Sequence, residues 1–257
     1  MLLNRRDAFR SVIFAFTLVV LLAIGAPAHA AELKIFGSRV TKVIVGELGP
    51  QFEKATGFKP AVTADVAQVM KRRIEAGESF DLAVLVDFQI DDLIKSGKLL
   101  ADSRADIMSS GIGVAVKRGA PKPDIGTVEA FKQTMLNAKT VTYLKEGAST
   151  IHLRKLFVQL GIADAIKAKA VETDGEQVSE KVAAGEVELG LIVIPNIMSV
   201  PGAELVGPLP AAINSIVMFT AGVSALSPNQ QAARELIKLL KSPEAKPVIK
   251  AKGNDPA

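Results

Sequence analysis

Leu33-Lys34-Ile35-Phe36-Gly37-Ser38-Arg39-Val40-Thr41 is an apolar run that stops at Gly-Ser-Arg and leads into a helical pattern. A strand that turns directly into a helix gathers backbone N–H groups, a hydroxyl and a positive charge at one point, as an anionic ligand requires. The same residues also suit a plainer role, with Ser38 as a helix cap and Arg39 as a solvated charge. Working outward, the helical stripe continues through Val45, Leu48 and Phe52 to Gly57, with a kink or restart expected at Gly49-Pro50.

Short apolar runs alternate with helical patterns along the rest of the chain, which predicts an α/β fold with mostly parallel strands. Ala61 to Ala64 reads as a strand, and Asp65 stands at the entrance to a helix ending at Gly77. Leu82 to Val86 is a buried strand, with Asp87 as the expected cap of the next helix. Gly111 to Val116 is followed by a Pro- and Gly-rich stretch from Arg118 to Gly126, a candidate boundary. A second α/β unit then shows a helix from Thr127 to Leu136, the strand Val141 to Leu144, and a helix starting near Ser149. It ends with a helix closed by Gly185 and the strand Leu189 to Ile194. Ile216 to Phe219 leads to two last helices, for which Ser227-Pro228 and Ser242-Pro243 are the expected starts.

Residues 1–30 stand outside this pattern. Arg5, Arg6 and Arg10 precede a nearly unbroken apolar run from Ser11 to Gly25, and Ala28-His29-Ala30 supplies small residues at a cleavage position. This is a secretory signal peptide, cut near Ala30/Ala31, and the mature protein is expected outside the cytoplasmic membrane. Three arginines and one aspartate leave with it, so 31 basic and 27 acidic side chains become 28 and 26, a net charge of +2. Basic and acidic residues are interleaved, so the charge pattern is not that of a nucleic-acid binder. With no cysteine the chain has neither disulfides nor thiolates.

Chemistry-bearing motifs are few. His152 is the one histidine left after the signal, and no G-x-S-x-G elbow, metal-site spacing or phosphate loop accompanies it. The loop Lys145-Glu146-Gly147-Ala148-Ser149-Thr150 is a second anion-ready junction. Its small residues admit close backbone approach, and two hydroxyls stand at a helix N-terminus, although a capped helix with a flexible loop would read the same way. One such junction in each half suggests a cleft that surrounds a small oxyanion or carboxylate.

The chain resembles the periplasmic solute-binding proteins of ABC importers, of the molybdate-binding type. The likeness rests on Leu48 to Gly57, Arg73 to Gly77 followed by Phe80 to Val84, Glu146-Gly147-Ala148-Ser149, Pro201 to Pro210, and the ending from Ser242-Pro243-Glu244-Ala245 through Gly253 to Ala257. It implies two lobes joined by crossing strands, one made of residues 31–117 and 214–257 and the other of 118–213. It also implies a monomer that captures a small anion between the lobes and delivers it to a membrane permease. The resemblance places the ligand contacts at Ser38 and Arg39, at Asp65-Val66-Ala67, at Gly147-Ala148-Ser149-Thr150 and at Pro195-Asn196. Arg39 stands where such proteins carry a serine, and Asp65 to Gln68 replaces a hydroxyl-rich loop. A small organic carboxylate is therefore the alternative to molybdate or tungstate. The expectation is a binding protein without cofactor or metal and not an enzyme, with an exported enzyme on the same scaffold as the remaining alternative.

Overall fold

The computed structural model describes residues 31–174 and 177–257; the expected signal peptide lies outside the described residues. In chain order the elements are β1 (Ala31–Gly37), α1 (Arg39–Thr56), β2 (Phe58–Ala64), α2 (Ala67–Glu75), β3 (Leu82–Val86), α3 (Asp87–Lys95) and β4 (Ala105–Lys117). Then follow α4 (Val128–Asn137), β5 (Val141–Leu144), α5 (Ala148–Gln159), α6 (Ala163–Lys167), β6 (Ala170–Thr173), α7 (Val178–Ala184), β7 (Leu189–Val193) and α8 (Ile194–Met198). The chain closes with β8 (Ala203–Pro208), β9 (Ile216–Val223), α9 (Gln230–Leu240), α10 (Ala245–Ala251) and β10 (Asp255–Pro256).

The strands form a curled sheet in the order β2-β1-β3-β9-β4-β7-β5-β6, with β8 and β10 added on β4. β2, β1 and β3 are parallel, as are β6, β5 and β7. Two long strands connect these triplets. β4 pairs antiparallel with β9 from Ala105 to Gly111, then with β7 from Ile112 to Ala115. At ~3.3 Å per residue its thirteen residues run roughly 40 Å, enough to belong to both halves of the sheet. β9 in turn pairs with β3, Leu82 facing Val223.

Both faces of the sheet are covered. Alternation along β1 sends Leu33 and Ile35 to one face, where α1 and α9 pack through Ile44, Leu48, Phe52 and Leu236, and Phe36 to the other, under α2 and α3 with Met70, Ile74 and Ile90. The second half has its own layer of Phe131, Tyr143, Leu156, Phe157 and Leu191 beneath α4 and α5. β3 is buried at all five positions, as a strand covered on both faces must be.

Several expectations are corrected. α1 continues through Pro50 with no restart; Pro50 and Gly46, whose carbonyl loses its helical partner, both lie on the exposed face, where the missing bond costs least. Asp87 is the first residue of α3, not its cap, and α9 and α10 begin at Gln230 and Ala245, three residues beyond each Ser-Pro pair's serine. Ser227 instead donates to the buried carboxylate of Asp81. The strand of Gly111 to Val116 begins six residues earlier, at Ala105, because β9 continues the pairing there.

Candidate anion-binding cavity

The C-terminal ends of β1, β2, β3, β5 and β7 all meet at one place. Each passes within a few residues into a helix, and the five residues that precede those helices are Ser38, Val66, Val86, Gly147 and Val193. All five line a cavity of ≈ 60 Å³. Open α/β sheets place ligands outside the carboxyl ends of their strands for this reason. The first N–H groups of a helix have no partner in their own helix, and each N-terminus carries up to roughly half a unit of positive charge. The N-termini of α1, α2, α3 and α5 converge on a positive, donor-rich centre without a cationic side chain, whereas α8 is a single short turn whose Pro195 offers no N–H; among the described residues no ionisable side chain lines the cavity.

Two seryl hydroxyls and one amide complete the polar lining. Ser38 is buried, and its Oγ accepts from the Thr41 N–H at 3.4 Å, so it is both the cap of α1 and a wall of the cavity. Ser149, in the first turn of α5, is also buried against the cavity. Asn196 is 6 % exposed, and its Oδ1 has no hydrogen-bond donor. The floor is apolar: Val66, Val86, Leu144, Ile192, and Val217 and Phe219 from β9.

Of the residues singled out from the sequence, Ser38, Val66, Ala67, Gly147, Ala148, Ser149 and Asn196 come together around this cavity. Arg39, Asp65, Thr150 and Pro195 do not line it. Arg39 forms an ion pair with Glu180 of α7. Asp65 accepts the Val66 N–H at 2.7 Å through Oδ1, while its own N–H bonds Gly37 O at 3.1 Å, tying β2 to β1. Thr150 donates to Leu144 O at 2.7 Å and holds the loop before α5 closed, and Pro195 faces a groove beside Val40 and Met198. Val86 and Val193 were missed as site residues. Their signal was available, since each ends a fully apolar strand at a helix start, whereas Val217 and Phe219 carry no local signal.

Beside the cavity, Arg72 of α2 holds Glu146 of the loop before α5 through two bonds, 2.9 and 2.7 Å. The guanidinium keeps the Glu146 carboxyl below the usual carboxylate range. Both this pair and Arg39–Glu180 connect the two halves of the sheet.

The model of a bacterial extracellular solute-binding protein matches residues 33–254. The chain belongs to that family. Its fold agrees with the solved periplasmic molybdate-binding protein of Azotobacter vinelandii, at a TM-score of 0.73 and 19% identity over 86% of this chain and 98% of that one. In sequence it is 29% identical over 253 residues to a molybdate-binding protein of the same organism, covering 92% of this chain and 96% of the relative. It is 34% identical over 246 residues to a Pseudomonas sp protein named aconitate isomerase, covering 92% and 94%. This last relative overturns the expectation that the chain is not an enzyme: the scaffold, over nearly its whole length, also occurs in a protein named for catalysis. The sequence carries none of the nucleophile-elbow, metal-site or phosphate-loop motifs by which an enzyme is commonly recognised.

Proposed function

We propose that this is an exported protein, released by cleavage near Ala30/Ala31, that binds a small unsaturated polycarboxylate between two lobes and interconverts its double-bond isomers. The lobes are 31–117 with 214–257, and 118–213. The observation that carries the binding is the convergence of four helix N-termini, those of α1, α2, α3 and α5, on a cavity whose other walls are largely apolar. Neutral donors hold an anionic group without a competing counter-ion, and the valine and phenylalanine floor suits the carbon that carries it. The isomerase reading rests on the relative named aconitate isomerase, since aconitate is an unsaturated tricarboxylate.

A second reading is capture of a tetrahedral oxyanion for delivery to an ABC permease. Ser38 and Ser149 favour it, because hydroxyls and amides can surround such an ion, and the relative named as molybdate-binding supports it. The test is to incubate purified residues 31–257 with each geometric isomer of aconitate and follow the other by chromatography, with calorimetry on molybdate, tungstate and sulfate alongside. Interconversion supports the first reading. Tight molybdate or tungstate binding without any conversion of aconitate would replace it with the second.

A further inference from the structure

The cavity shares Val86, Ala148 and Val217 with a neighbouring chamber of ≈ 280 Å³, whose walls also carry Asp87, His152, Lys155 and Ser215. The cavity alone suits an anionic group, and the chamber supplies the additional space that a molecule with several carboxylates needs. Phe88, Ile151 and Ile216 line this chamber and are 44%, 51% and 64% exposed, apolar surface that an inorganic oxyanion would leave unused. The His152 Nε2 lies 2.8 Å from Ile213 O. A carbonyl oxygen only accepts, so Nε2 carries a hydrogen, and in the neutral ring Nδ1 is left with its lone pair.

Resting on the isomerase reading above, we propose that His152 is the proton carrier of the reaction. One carboxylate of the substrate sits on the helix N-termini, its reacting carbons lie in the chamber, and Lys155 pairs with a second carboxylate. The step balances without a co-reactant. His152 Nδ1 takes a proton from the CH₂ next to the double bond, and that C–H electron pair becomes the new C=C. The old π pair then takes the proton back at the far carbon, so the double bond moves by one position and no atom is gained or lost. A neutral imidazole becomes cationic as negative charge develops on the substrate, whereas Asp87 would set a second negative charge beside a polyanion.

His152→Gln retains an amide donor for Ile213 O but no basic nitrogen. Its kcat on aconitate should fall at least ~100-fold, within the usual range for general acid–base catalysis, while the aconitate Kd by calorimetry changes less than about threefold. Lys155→Met should raise KM about tenfold with little change in kcat. A fold-independent arm uses the mature wild type, in which His152 is the one histidine. Acylation with diethylpyrocarbonate should abolish turnover, aconitate should protect, and hydroxylamine should restore activity. Turnover that survives acylation of the wild type, or that persists undiminished in His152→Gln, would overturn this inference and leave the isomerase reading standing. So would full loss in Asp87→Asn alongside an active His152→Gln. No turnover by the wild type would overturn both.

Discussion

Gly37 shows how closely single residues are specified at the strand ends. Its backbone is not in the left-handed region; the constraint is space, because a Cβ there would lie 2.8 Å from Thr41 Cβ. Gly37→Ala would push the first turn of α1 outward and loosen the Ser38 cap, and it should cost about 1–3 kcal/mol, readable by urea unfolding. Asp81 acts at the opposite end of the sheet. It is buried, and its carboxylate accepts from Lys34 N–H at 2.7 Å, from the Ser227 hydroxyl and from Asn229 Nδ2 at 3.3 Å, joining β1 to the approach of α9. Asp81→Ala strands those donors and should lower stability by roughly 1.5–3 kcal/mol for each charge-assisted bond left unreplaced, without changing which ligand binds. Ser149 belongs to the cavity. Ser149→Ala should leave the melting temperature near wild type and weaken anion binding about tenfold or more, as loss of one hydrogen bond to a charged group does.

At the level of elements, the contact between α2 and the loop before α5 rests on Arg72 and Glu146. Their side chains are both substantially exposed, so the pair contributes little to overall stability and more to how the two halves are held. The sign of its pH dependence follows from the lowered Glu146 carboxyl. The pair contributes fully above the ordinary carboxylate range, and the contribution disappears as pH falls through the depressed folded-state value. The melting-temperature difference between wild type and Arg72→Ala should therefore be constant near neutrality and vanish in acid. A difference that persisted after Glu146 had been protonated would show that Arg72 acts through some other contact.

For the whole molecule, β4 and β9 are the strands through which the halves are continuous, and the cavity takes wall residues from both sides of them. A ligand seated there binds only the folded state. At a hundred times its Kd it should add ~2.7 kcal/mol, which for a chain of this size is a rise of about 5–10 °C in melting temperature. Closure of the two lobes around the ligand should show in solution scattering as a smaller radius of gyration with aconitate than without it. A tight ligand that raised the melting temperature at constant radius would point to a cavity that is closed already.

The amino-acid sequence by itself determined the alternation of strands and helices, because apolar periodicity is local. Leu82 to Val86 and Val141 to Leu144 were legible to the residue, and Ser38 and Ser149 could be seen at helix starts. It also carried the resemblance from which the family was expected. β6 and β8 escaped notice because their residues are largely half-buried or exposed and show no continuous apolar run. Only the tertiary structure decided which junctions share a cavity, since that depends on strand order. Sheet pairing brings Val217 and Phe219 of β9 beside Val86 of β3, more than a hundred residues away in sequence. It also decided that Arg39, adjacent to the cavity in sequence, pairs with Glu180, because a long side chain at the first turn of a helix follows the nearest opposite charge that the fold presents.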